Sequence, residues 1–81
     1  MKYNVVVKRQ LRSVTKPPGF TMDVVDKGDH VTLRVYEDEI KNLTIQERIK
    51  AMEYLTTVED ILKANGITCY SEGASGGPRR I

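Results

Sequence analysis

The chain has 81 residues, 40% of them hydrophobic and 30% charged, which is typical of one small globular domain with a thin core. No apolar run approaches the ~20 residues needed to cross a bilayer, so we expect no membrane span. The first apolar stretch ends at Lys8, too early for a signal peptide, and we therefore expect a cytoplasmic protein.

The formal net charge of +2 is divided unevenly along the chain. Residues 1–19 carry cationic side chains and no carboxylate, and every carboxylate lies between Asp23 and Glu72. The last nine residues add Arg79 and Arg80. Two basic ends around an acidic middle favour electrostatic docking onto a partner, or oriented contact between copies of the chain.

Cys69 and His30 are the single cysteine and the single histidine of the sequence. An internal disulfide is therefore impossible, and a zinc site with four Cys or His ligands cannot form within one chain. We predict no metal and no cofactor. We interpret Cys69 as a small strand residue and His30 as a surface residue beside a turn, rather than as a nucleophile and its base.

The N-terminal part predicts a strand followed by a loop. Residues 3–11 contain three consecutive valines, which favour a central β-strand that is covered on both faces. Pro17, Pro18 and Gly19 then predict a loop over residues 15–19. This loop is either an ordinary connector or a semi-rigid segment that presents basic side chains.

A hairpin is predicted next. Apolar and polar residues alternate in residues 20–26 and 30–36, which indicates two strands with one buried face. The connection between them suits a type I turn with Gly28 in the left-handed region, so Gly28→Ala should cost on the order of 1 kcal/mol. The acidic residues 37–39 lack the spaced ligands of a calcium loop and predict a solvated exit loop.

Residues 44–66 predict the longest helix. Thr44 and Glu47 have the spacing of a capping box, and Asn65 with Gly66 provides a left-handed stop. The β-branched residues around Thr56 leave open a kink or a second helix at this point. Apolar residues recur every three or four positions and predict one stripe that lies across the sheet: Ile45, Ile49, Met52, Leu55, Val58, Ile61 and Leu62.

A short edge strand over residues 67–70 completes the predicted fold. The order β-β-β-α-β indicates an α+β domain in which one helix covers one face of a mostly antiparallel, four-stranded sheet. If the last strand runs parallel to the one before the helix, the crossover should be right-handed. We assign residues 1–72 to a single domain and residues 73–81, rich in glycine, to a flexible basic tail.

Nothing in the sequence combines a nucleophile with a base or places paired carboxylates in a cleft, so we predict that the protein is not an enzyme. Nucleic acid is a possible partner, because cations near both ends could neutralise phosphates and Tyr3, Tyr36 and Tyr70 could stack on bases. The candidate phosphate-binding residues are Lys8, Arg9, Arg12, Lys16, Arg79 and Arg80. A small anionic ligand held by the tail arginines is a minor alternative.

A protein partner is the favoured interpretation. The predicted sheet has an open face with Tyr36, Tyr70 and Arg34 as candidate contact residues, and its edge strand could pair with another chain. We therefore predict a small regulator, inhibitor or adaptor that binds another protein and forms a homodimer.

Overall fold

A computed structural model describes residues 3–74 of the chain. Within these residues the fold is α+β, with three helices and one three-stranded sheet. The elements in chain order are α1 (Val5–Arg12), β1 (Met22–Asp26), β2 (Val31–Tyr36), α2 (Glu37–Lys41), α3 (Ile45–Ala64) and β3 (Cys69–Ala74). The α+β class is confirmed, whereas the prediction of a four-stranded, mostly antiparallel sheet with one helix is wrong for this part of the chain.

The segment with three valines forms the helix α1, and not the predicted central strand. The Asn4 side chain caps this helix by accepting hydrogen bonds from the backbone amides of Val6 and Val7 at 3.0 and 3.2 Å. Val7 and Leu11, four positions apart, are buried in the core. Because a β-branched residue lowers helix propensity by only about 0.7 kcal/mol or less, a cap and a buried stripe outweigh three valines.

The predicted hairpin is confirmed, with β1 beginning at Met22 instead of Phe20. Strands β1 and β2 pair antiparallel from Met22 opposite Val35 to Asp26 opposite Val31. The Asp26 carboxylate accepts a hydrogen bond from the Gly28 amide at 2.9 Å, and Gly28 has a φ of +96°. The turn therefore uses glycine where a left-handed backbone is required.

The acidic residues after β2 form the short helix α2 instead of an exit loop. Glu37, Asp38 and Glu39 occupy its first turn, where negative charge complements the helix dipole. Glu39 accepts hydrogen bonds from the Thr21 amide and hydroxyl at 2.8 and 3.0 Å. At the other end, Arg48 donates to two carbonyl oxygens of the last turn, so both ends of α2 are tied to other segments.

Helix α3 is a single helix with the predicted ends. Thr44 and Glu47 form the capping box, with side chain–backbone distances of 2.8 and 3.1 Å. The Thr57 hydroxyl donates to the Glu53 carbonyl at 2.9 Å and remains within the helix, so no second helix begins there. The chain leaves α3 through Asn65 and Gly66, and Gly66 has a φ of +73°.

Strand β3 lies parallel to β2, which makes β2 the central strand of the sheet. It extends from Cys69 to Ala74 and is longer than the predicted strand, which ended at Tyr70. Residues 75–81, most of the predicted basic tail, lie outside the described residues. The core lies between one face of the sheet and helices α1 and α3 and contains Val7, Leu11, Val31, Leu33, Val58, Leu62 and Ile67.

Candidate interaction surfaces

Three surfaces carry the candidate functional residues of the described part of the chain. They are the sheet face opposite the core (the outer sheet face), the basic side of α1, and the exposed side of α3. The first two contain residues that were predicted from the sequence.

On the outer sheet face, charged side chains form a row across all three strands. Asp23 on β1, Arg34 on β2 and Glu72 on β3 are aligned by the strand registers. Arg34 Nε donates to Glu72 Oε1 at 2.8 Å, and this hydrogen bond is the main reason that the pKa of Arg34 is raised. The candidate contact residue Arg34 is therefore already engaged within the chain.

Tyr36 and Tyr70 differ sharply in accessibility on this face. Tyr36 is 5% exposed, and its hydroxyl donates a hydrogen bond to the Asp23 carboxylate, which raises the pKa of the phenol. Tyr70 is 58% exposed and contacts the His30 ring edge-to-face, with 5.2 Å between ring centroids. Of these two predicted contact tyrosines, Tyr70 exposes its ring to solvent and Tyr36 does not.

Tyr3, the third tyrosine considered for base stacking, lies beside α1 and packs against the core cluster. Burial is the main cause of its raised pKa, and Asp26 raises it further. The Lys8 ammonium lies 5.3 Å from the centre of the Tyr3 ring. The three tyrosines are therefore not assembled into one stacking platform.

The basic residues near the N-terminus gather mainly on one helix. Lys8, Arg9 and Arg12 all lie on α1 and are exposed, and Lys8 and Arg12 share a side of the helix because they are four positions apart. Lys16 instead lines a groove of about 400 Å³ between the proline loop and α3. Arg79 and Arg80, and the tail site for a small anion, lie outside the described residues.

The exposed side of α3 is the surface that the sequence interpretation missed. Ile45, Ile49 and Met52, named here the α3 stripe, are 76%, 55% and 61% exposed. Together with Arg48, Glu53, Thr56 and Thr57 they line a shallow, open groove along one side of this single helix. The prediction that the whole apolar stripe lies across the sheet is therefore wrong for its N-terminal half.

The length of α3 explains this exposure. Twenty helical residues span ~30 Å, whereas a strand of five or six residues spans ~17–20 Å. A sheet of this size therefore covers only part of the helix. Val58 and Leu62, in the C-terminal half, are fully buried. Comparing the length of the predicted helix with that of the predicted strands would have indicated that one end of the stripe projects beyond the core.

Four further groups have pKa values that are shifted by hydrogen bonds or by burial. The pKa of Asp29 is lowered mainly by its hydrogen bond with His30, and that of Glu47 by its bonds in the capping box. Burial raises the pKa of Tyr54 and of the Cys69 thiol. Among residues 3–74, no cluster of three metal-ligating side chains is present, and no buried side-chain nitrogen or oxygen lacks a hydrogen-bond partner.

No helix within the described part of the chain is long and apolar enough to cross a membrane. Comparison of the chain with protein-family models, curated proteins and solved structures gave no match.

Proposed function

We propose that this chain is a small non-enzymatic module of the cytoplasm that binds another protein chain, as a regulator, inhibitor or adaptor, through the α3 stripe. The observation that carries this proposal is the grouping of Ile45, Ile49 and Met52, each more than half exposed, along one side of one helix. Single exposed apolar residues are common, but a contiguous apolar patch with a polar rim is typical of an interaction surface.

The rim of this patch is suited to selecting a partner. Arg48 and Glu53 line the same groove as the apolar residues and place both signs of charge beside them. Charged groups at the edge of an apolar contact contribute to orientation and to the rate of association. The groove therefore combines an apolar centre with a charged edge.

The outer sheet face is a weaker candidate surface. Its central polar groups are already paired within the chain, as in the contacts of Arg34 with Glu72 and of Tyr36 with Asp23. A partner that binds these polar groups would have to displace their existing contacts. Tyr70 is a large exposed side chain of this face that a partner could cover without displacing them. The α3 stripe offers more apolar surface without such competition.

Site-specific photo-crosslinking tests this proposal. A benzophenone amino acid in place of Met52 should yield a covalent adduct with a defined protein in cells, and the substitution Ile45→Glu in the same chain should abolish it. The same amino acid in place of Lys27, exposed at the hairpin turn, is the matched control. Equal labelling at both positions, or no adduct at Met52, would contradict the proposal.

Nucleic-acid binding is the second candidate, and the specific observation that favours it is the position of Lys8, Arg9 and Arg12 on one exposed helix. Three cations on one short helix could contact several phosphates, and such binding weakens steeply with salt. In this case α1, and not the predicted strand and loop, would form the centre of the contact.

Fluorescence anisotropy with labelled single- and double-stranded DNA and RNA, at low and near-physiological salt, tests the second candidate. If it is correct, neutralising Lys8, Arg9 and Arg12 with glutamine should weaken binding to all sequences and flatten the salt dependence. Neutralising three exposed lysines away from α1 (Lys27, Lys41 and Lys63) provides the control. Absence of binding at low salt, where attraction to phosphate is strongest, would exclude the candidate.

A further inference from the structure

The α3 stripe continues with a fourth residue in a regular spacing. Ile45, Ile49, Met52 and Thr56 follow one another at intervals of four, three and four positions, and all four line the same groove. This spacing is the repeat of a two-helix seam, in which such residues alternate between the d and a positions of a heptad. Ile49 and Thr56 then occupy a positions, and Ile45 and Met52 occupy d positions.

The same heptad places two opposite charges beside the seam. Arg48 falls at position g and Glu53 at the following e position, and both line the groove. Five positions apart on one helix, they do not face each other within the chain. Among the described residues, Glu53 has no ion-pair partner.

The arrangement of these charges distinguishes the two possible directions of a second helix. In a parallel pair, position g of one helix lies next to the following e position of the other. Arg48 of each copy would then lie beside Glu53 of its partner, which gives two such contacts in the dimer. In an antiparallel pair, e lies next to e and g next to g, so like charges would meet. Charge complementarity therefore favours a parallel pair.

Arg48 remains available for this contact. Its Nε and one terminal nitrogen donate to the carbonyl oxygens of Ile40 and Lys41 at 3.1 and 3.3 Å. A guanidinium carries five N–H donors, so these two bonds leave three donors and fix the side chain beside the groove. A fixed guanidinium loses less conformational entropy when it meets a carboxylate than a mobile one.

We propose that the occupant of the α3 stripe is a second copy of this chain, bound with its α3 parallel and related by a two-fold axis along the seam. This inference rests on the proposed function and specifies its partner. Ile45, Ile49 and Met52 would each meet the same residue of the partner, and the charges would pair across both edges. The seam from Ile45 to Thr56 is about 18 Å long, so we expect a weak dimer that dissociates on dilution.

Sedimentation equilibrium over a range of protein concentrations, applied to the wild-type chain and to charge-reversal variants, tests the dimer. The wild-type chain should associate, and Ile49→Asp should remain monomeric at every concentration. Arg48→Glu and Glu53→Arg should each weaken association by about tenfold at low salt. An equimolar mixture of these two single variants should restore it, because each copy then supplies the charge that the other needs. Circular dichroism checks that each variant is folded.

Cysteine crosslinking determines the direction of the pair. In a Cys69→Ser background, Met52→Cys alone should form a disulfide-linked dimer under oxidising conditions if the helices are parallel. In an antiparallel pair, efficient crosslinking would instead require a mixture of Met52→Cys with Ile49→Cys. This second pattern, or failure of the mixed charge variants to restore association, would overturn the inference.

The proposed function and the dimer can fail separately. A wild-type chain that stays monomeric, while the photo-crosslinker at Met52 labels a heavier protein, overturns the dimer and retains protein binding. A Met52 adduct with twice the mass of the chain supports both proposals. A monomeric chain without any adduct contradicts both.

Discussion

Arg34 on β2 and Glu72 on β3 lie opposite each other in the parallel register, with 2.8 Å between Arg34 Nε and Glu72 Oε1. The two residues are 38 positions apart in the chain. The pair therefore connects β2, the central strand of the sheet, to the strand that follows α3. The backbone pairing of β3 with β2 continues beyond this pair to Ala74.

Reversing the charge at Glu72 should weaken this connection. Glu72→Lys places a second cation beside Arg34, whereas Glu72→Gln only removes the attraction. Because both side chains are partly exposed, we expect a melting temperature that is lower by at most about 5 °C for lysine and less for glutamine. Thermal unfolding at low and high salt measures this, and a lysine effect that does not shrink with salt would contradict the electrostatic cause.

Truncating a side chain should destabilise the protein in the C-terminal half of α3 and have little effect in its N-terminal half. Leu62 is fully buried, so Leu62→Ala should lower the free energy of unfolding by about 2–5 kcal/mol. Ile45 is 76% exposed, and Ile45→Ala should change it by less than about 0.5 kcal/mol at protein concentrations where the chain is monomeric. Urea unfolding of both variants measures the difference. Similar losses would mean that the N-terminal half of α3 is buried after all.

Local sequence signals correctly predicted the helix ends and the turn that depend on neighbouring residues. The capping box of Thr44 and Glu47, the Gly66 stop and the Gly28 turn are each decided by side chains and φ values within a few residues. The hairpin and the long helix that these signals delimit were enough to predict the class α+β. The valine segment failed as a prediction because its packing against α3, a distant contact, decides between helix and strand.

Gly28 and Gly73 provide a comparison of backbone strain with steric contact. A Cβ at Gly28 has open space around it but requires φ near +96°, so Gly28→Ala should cost about 1 kcal/mol. A Cβ at Gly73 would lie 2.8 Å from the carboxylate end of the exposed Glu37 side chain, which can move away. Chemical denaturation should therefore show a larger loss for Gly28→Ala. The reverse order would contradict the turn geometry.

The hydrogen bond between Tyr36 and Asp23 predicts a titration that one substitution can change. The bond raises the pKa of Tyr36 above the ordinary 10.0, and Asp23→Asn should lower it again by removing the charged acceptor. A raised folded-state pKa contributes stability that is fully present below the unfolded value and lost as pH rises through the folded value. Ultraviolet titration of tyrosinate measures the pKa, with Tyr36→Phe assigning the signal. An unchanged profile in Asp23→Asn would contradict the contact.

The candidate surface was only partly accessible to sequence reasoning. The period-two pattern of β2 correctly placed Arg34 on the face opposite the core, but the pattern does not reveal which side chains already have partners. The helical period located Ile45, Ile49 and Met52 on one side of α3, but it does not predict how far the sheet extends beneath the helix. Both facts depend on tertiary packing.

The most direct test of the α3 stripe as the binding surface is a dilution series of ¹H–¹⁵N correlation spectra of the labelled wild-type chain. We expect amide shifts that change with concentration to lie in residues 45–56, because a second copy covers that part of α3. Amides around Tyr70 on the outer sheet face should remain unchanged. Changes centred on Tyr70, or spectra that do not depend on concentration, would contradict the assignment of this surface to a second copy of the chain.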